Sequence, residues 1–166
     1  MARLRAGSIT TISVFCLLGF LLTSFPLVAA ERVALNPTAQ DKCPVCGMFV
    51  AKYPDWTTAI RFKDGSHVFF DGAKDMFKYL LDPKRYQPAN SKEDIGAVLV
   101  KEYYKLLWID ARKAWYVLGS DVFGPMGKEL IPLETEADAK EFMKDHKGKR
   151  MIRFSDVETE VIKTLD

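Results

Sequence analysis

Histidine is nearly missing from this 166-residue chain: His67 and His146 are the only two. They lie far apart, with no His-x3-5-His pair, which argues against a zinc site completed by two histidines. Cysteine is almost as scarce. Of three, Cys16 falls within an apolar N-terminal run, so Cys43 and Cys46 are the only pair in the remainder. A disulfide-dense scaffold is excluded on that count. An excess of one charge is also lacking. The chain has 24 basic and 22 acidic residues, and Arg3 and Arg5 belong to the N-terminal run, leaving 22 against 22 in the rest. Nucleic-acid partners normally require a basic excess, so none is expected.

Long apolar stretches are confined to one place. Arg3 and Arg5 precede an uncharged run from Ile9 to Ala30, Pro26 breaks it, and Val28-Ala29-Ala30 sets small residues before Glu31. This is the layout of a secretory signal peptide over residues 1–30. The run is also long enough to anchor the chain in a membrane if it stays uncut. The expected location is therefore extracytoplasmic. Cys16 follows Ser13-Val14-Phe15, and the bulky Phe15 makes a poor lipobox. Residues 31–41 are polar and read as a linker, and 42–166 suits one compact domain.

Periodicity supplies the elements. Thr57–Phe62 and His67–Phe70 are strand candidates joined by an Asp64-Gly65 turn. Ala73, Met76, Phe77, Leu80 and Leu81 recur at helical spacing, with Asp71 or Gly72 as N-cap and Asp82-Pro83 as stop. A loop to Asp94 follows, then strands at Val98–Val100, Tyr104–Asp110, Trp115–Gly119 and Glu129–Leu133. Thr135 and Asp138 open a helix with Ala139, Phe142, Met143 and His146 on one face. Met151–Phe154 reads as a strand, and Ser155 with Glu158 as the start of a last helix. Strand–strand–helix–strand occurs twice in this order. The expected fold is α+β, built of two ββαβ-like halves at about 42–111 and 112–166.

The chemistry is concentrated in Cys43-Pro44-Val45-Cys46-Gly47-Met48, three sulfur side chains in six residues. Such donors suit Cu(I), zinc or dithiol exchange, and hard cations poorly. Structural zinc wants four ligands, and only one C-x-x-C is present. Dithiol exchange wants the pair at a helix N-terminus in a βαβ setting, which Gly47-Met48-Phe49-Val50 does not provide. An inert disulfide is the plain alternative in an oxidising compartment. Cu(I) asks for only two or three soft donors, and thiolate with thioether selects it. Met126, in a Gly-Pro-Met-Gly turn, is the one other methionine in a loop; Met76, Met143 and Met151 fall on core faces. Candidate Cu(I) ligands are thus Cys43, Cys46, Met48 and Met126. His67 is read as a partly buried strand residue, Asp71 as a helix cap, and Tyr103-Tyr104, Trp108 and Trp115 as core and sheet residues.

Cys43-Pro44-Val45-Cys46-Gly47-Met48, Phe69-Phe70-Asp71-Gly72, Gly119-Ser120-Asp121 leading into Gly124-Pro125-Met126-Gly127, and the Arg150–Phe154 strand occur here in one order. Together they resemble the NosL family, accessory proteins of nitrous oxide reductase, over nearly all of residues 42–156. The resemblance implies a periplasmic copper chaperone that binds one Cu(I) and serves maturation of the reductase's copper–sulfur cluster in denitrification. It implies two ββαβ units related to the organomercurial lyase fold. It associates copper with a cysteine of C-x-x-C-G-M and a distant methionine, matching Cys43, Cys46 or Met48 and Met126. A copper-receiving protein, the reductase or its maturation transporter, is the implied partner, and no catalysis is expected. The rival readings are an enzyme using Cys43 and Cys46 for thiol–disulfide exchange or organomercurial cleavage, with Asp71 as the proton donor, and a structural module closed by a disulfide.

Overall fold

Two antiparallel sheets, each with a helix in its connections, carry the chain in a computed structural model that describes residues 35–87 and 92–166. The leader expected at 1–30 lies outside the described residues, as do 31–34 of the linker. Leu35 is buried against the core, so the chain is packed well ahead of Lys42. Among the described residues no helix is long and apolar enough to cross a membrane.

The first sheet begins with β1 (Thr58–Phe62) and β2 (His67–Phe70), paired from Thr58↔Phe70 to Arg61↔His67. Gly65 makes the turn between them at φ +89°, a conformation few side chains accept. Helix α1 (Ala73–Leu81) and a short α2 (Pro83–Tyr86) follow. Then come β3 (Ile95–Lys101) and β4 (Trp108–Asp110), giving the order β2-β1-β3-β4. The strand expected from Tyr104 starts only at Trp108. Tyr103 to Lys105 form a turn, Leu106 adopts φ +55°, and Tyr104 is exposed rather than core. The turn is held by Glu102, whose carboxylate accepts from the Lys105 N–H at 2.6 Å. The run of aromatic and apolar residues from Tyr103 to Trp108 mimics a strand, and the local side chain–backbone bond overrides it.

The second sheet has the order β8-β5-β9, from β5 (Trp115–Leu118), β8 (Ile131–Leu133) and β9 (Arg150–Arg153). A small hairpin of β6 (Phe123–Gly124) and β7 (Gly127–Lys128) precedes β8, and α3 (Glu136–Asp145) links β8 to β9. Thr135 caps α3 as its sequence predicts, its hydroxyl oxygen accepting from the Asp138 N–H at 3.1 Å. In each sheet the helix connects the second and third strands, and the first strand lies between them. The chain ends with α4 (Thr159–Lys163), whose N-cap is Glu158 and not Ser155. A 3-10 turn over Phe154–Asp156 takes up the residues expected to open it.

Strand pleating explains how the halves share a core. On β5, Tyr116 and Leu118 point into the main cluster with Phe77, while Val117 on the opposite face packs with Ile131, Leu133, Ala139 and Phe142 under α3. Phe77 of α1 meets Tyr116 edge-on at 5.2 Å and Phe154 at 5.0 Å. Tyr116 is fully buried, and its hydroxyl donates to Ala111 O at 2.7 Å, which removes the cost of an unpaired polar group. Helix α1 therefore packs on β1 and β2 and also carries an aromatic contact to the second sheet.

Candidate metal centre

The C-P-V-C-G-M segment closes on itself. Lys42 and Phe49 form a β-bridge at its base, Cys43 N–H donates to Met48 O at 2.9 Å, and Gly47 N–H to Cys43 O at 2.8 Å. Gly47 takes φ +79°, which the tight return requires. The closure turns the Cys46 N–H toward the Cys43 sulfur and the Met48 N–H toward the Cys46 sulfur. The loop thus organises both sulfurs through its backbone. Met48 contributes its N–H and its carbonyl to this arrangement, and its side chain is half-buried.

Opposite the loop stands the start of α1. Strand β2 delivers Phe70, fully buried, and the next residue is Asp71. Asp71 does not cap the helix. Gly72 is the N-cap position and offers no side chain; Thr58 Oγ1 donates to Gly72 O at 3.3 Å. The missing cap comes from the second half: Glu129 Oε1 accepts from the Lys74 N–H and from the Leu130 N–H, at 2.5 and 2.9 Å. A Cβ on residue 72 would stand 2.2 Å from Glu129 Oε2, so glycine makes room for this carboxylate.

With the cap supplied elsewhere, Asp71 turns to the cysteines. Cys46 Sγ donates to Asp71 Oδ1 at 3.2 Å, and Cys43 Sγ to Asp75 Oδ2 at 3.4 Å. One donor atom from each of Cys43, Cys46, Asp71 and Asp75 lies within 4.8 Å of the others. Cys43, Asp71 and Asp75 are buried and Cys46 partly so. Both cysteines are free thiols, so the disulfide alternative is not the state seen. Asp71 Oδ2 is buried and has no hydrogen-bond partner, a vacancy in bonding that a cation would fill.

Electrostatics explain why the thiols hold their protons. Burial pushes the Cys46 thiol up to about 12 and Cys43 higher still, and the neighbouring carboxylates add to both shifts. The N–H groups aimed at the sulfurs pull the other way and are outweighed. Burial also raises Asp75, reinforced by the charge of Asp71. Four anions packed this closely cannot all ionise. A cation bound among these groups would offset the repulsion of whichever of them ionise and give Asp71 Oδ2 a partner.

The sequence-predicted residues divide accordingly. Cys43 and Cys46 come together. Met126 lies at the tip of the β6–β7 hairpin, 43% exposed, and its carbonyl accepts from Lys74 Nζ at 2.9 Å, which sets that tip against the first turn of α1. His67 is exposed, with its ring edge against Phe69 at 4.9 Å, and stands outside the cluster; His146 ends α3 and pairs with Asp121 at 3.4 Å. Sequence reasoning missed Asp75 altogether; of its two cap candidates Gly72 holds the position, and it set Asp71 beside the thiols only in the enzyme reading. The i, i+4 spacing of Asp71 and Asp75, which places two carboxylates on one side of a helix start, was the available signal.

Two thiols backed by two carboxylates, on an α+β domain, define a candidate centre for a thiophilic cation. Comparison with known proteins is consistent with this. The NosL family model matches residues 34–162, and the chain belongs to that family. It is 29% identical over 167 residues to the copper-binding lipoprotein NosL of Stutzerimonas stutzeri, covering 94% of this chain and 82% of that protein. The crystal structure of the copper chaperone NosL from Shewanella denitrificans superposes with a TM-score of 0.63 at 25% identity, covering 78% of this chain and 98% of the other.

Proposed function

We infer that this chain is an extracytoplasmic Cu(I) chaperone: it carries one ion and hands it on without turnover. The observation that carries the reading is the buried cluster of Cys43, Cys46, Asp71 and Asp75, in a member of a family whose named relatives bind copper. Soft thiolates select Cu(I), and the carboxylates are placed to pass on to solvent the protons it displaces. Met126 is the thioether donor we assign, with its turn held against the helix that carries Asp75; Met48 serves through its backbone and is the second thioether candidate. Low coordination lets a recipient's ligands enter before these leave. The recipient we propose is nitrous oxide reductase or the machinery that assembles its copper–sulfur cluster. The leader at residues 1–30 takes the chain out of the cytoplasm, cut or as an anchor.

The deciding experiment is an anaerobic Cu(I) titration of the reduced protein against a chromophoric Cu(I) chelator, beside a Cys43→Ser/Cys46→Ser control. One equivalent withheld from the chelator and lost in the control is expected. Failure to compete would overturn the reading.

One observation favours a second activity of the same centre. Protonolysis of a carbon–mercury bond needs a carboxylic acid beside a mercury-binding thiolate, and Asp71 and Asp75 stand there. Incubation with an organomercurial separates the two: a carrier retains mercury and releases no hydrocarbon, whereas multiple turnovers would make the protein a lyase.

A further inference from the structure

We propose that Lys74 is a positioning residue that fixes Met126 beside the metal centre. The inference rests on the reading of Met126 as a Cu(I) donor.

Lys74 lies in the first turn of α1, next to Asp75, and its side chain is 4% exposed. Burying an ammonium is costly unless it is well bonded. Its Nζ donates to Met126 O at 2.9 Å and to Leu165 O at 3.2 Å, with the Asp166 carboxylate 3.8 Å away. Its backbone N–H donates to Glu129 Oε1. One residue of α1 therefore holds the β6–β7 hairpin twice, at the tip through the Met126 carbonyl and at the base through Glu129.

The hairpin's own pairing does little to fix it. Its strands are two residues each, paired only at Phe123↔Lys128 and Gly124↔Gly127. A hairpin that short does not hold its own geometry in water. Phe123 is 62% exposed and Met126 43%, so packing does not anchor the tip. A flexible, solvent-facing thioether donates to a metal only if its backbone is placed, because each freely rotating bond frozen on binding opposes it. The charge-assisted bond from Lys74 supplies that placement, and it does so from the turn that also carries Asp75. One helix turn thus carries both Asp75 of the centre and the ammonium that holds the Met126 backbone.

The test uses the reduced full chain with 13C-methyl-labelled methionine and the same chelator competition. In the wild type, the Met126 methyl signal is expected to move on addition of Cu(I). In Lys74→Met, which keeps volume and removes the donor, that signal should stay at its metal-free position while Cu(I) still binds through the cysteines. Affinity should fall by about 10- to 100-fold, the usual effect of losing a group that orients a ligand. The double variant Lys74→Met/Met126→Leu should bind no more weakly than Met126→Leu alone, an overlap that a general loss of stability does not produce. Lys74→Arg should restore the methyl shift. Lys74→Gln, polar but too short to reach the Met126 carbonyl, gives the same test if the apolar variant does not fold. A wild-type methyl shift that persists in Lys74→Met and Lys74→Gln overturns the positioning role and leaves Met126 a donor. No shift in the wild type, with unchanged affinity in Met126→Leu, overturns the donor reading and the positioning role with it.

Discussion

Cys46 Sγ donates to Asp71 Oδ1 at 3.2 Å across 25 positions of sequence, joining the C-x-x-C loop to the start of α1. With its counterpart, Cys43 to Asp75, it gives each sulfur a carboxylate within hydrogen-bonding reach. Each pair shares a thiol proton, and a metal ion bound by the sulfurs would take the place of those protons.

Metal affinity should therefore rise with pH. Both thiols are protonated at neutral pH, since burial pushes Cys46 up to about 12 and Cys43 further. Each thiol that becomes a ligand must lose its proton, so each adds about tenfold to apparent affinity per pH unit. Chelator competition between about pH 6 and 8 should give a slope near two if both cysteines bind and near one if a single cysteine does. Cys43→Ser lowers the slope by about one only if Cys43 ligates.

Stability should carry a separate pH signature from Glu129. Burial raises its carboxyl from the ordinary 4.5 to about 8, against the opposing pull of the Lys74 and Leu130 N–H groups. The folded state then holds the proton more tightly than the unfolded chain. Its contribution is complete below about 4.5 and is lost as pH rises through about 8. Glu129→Gln keeps the Oε1 acceptor and cannot ionise. Denaturant midpoints at several pH values should fall across this window in the wild type and fall less in the variant.

Gly72→Ala should be disruptive although its backbone is extended (φ −173°), because the new Cβ meets Glu129 Oε2 at 2.2 Å. Overpacking of this kind costs roughly 1–3 kcal/mol. Urea unfolding should show that loss, and Cu(I) retention should weaken with it because Asp71 is the preceding residue.

Thr135→Ala serves as the contrast. Its hydroxyl caps α3 and touches no part of the centre, so the variant should lose about 1 kcal/mol of stability. An unchanged Cu(I) affinity in the chelator assay is the expected companion result.

Much of the fold could be read from local pattern. The β2 and α1 boundaries match the expected His67–Phe70 and Ala73–Leu81, because alternation and the 3.6-residue period survive where one face is buried. Periodicity failed where both faces are covered. Lys74, Asp75 and Tyr79 are buried while Leu80 and Leu81 are half-buried, since the β6–β7 hairpin meets Lys74, the cysteine loop meets Asp75, and Tyr79 packs on Phe70 and Tyr86 on the side that pattern assigns to water. Asp71 misled for a related reason. An acid ahead of a helix is normally its cap, and only the distant Glu129, by taking that task, leaves Asp71 for the cysteines. Tertiary substitution of one side chain for another leaves no trace in a short sequence window.

All four side chains of the centre lie within residues 43–75, yet the carboxylate that caps the helix between them is at position 129. During synthesis the chain emerges from its N-terminus. A portion ending near Leu118 already displays both thiols and both acids without the support that shapes them. Competence to pick up cargo is thereby deferred until the second half has arrived. An incomplete or truncated copy should therefore hold a metal ion more weakly than the full chain, because the helix start that carries Asp75 lacks its cap.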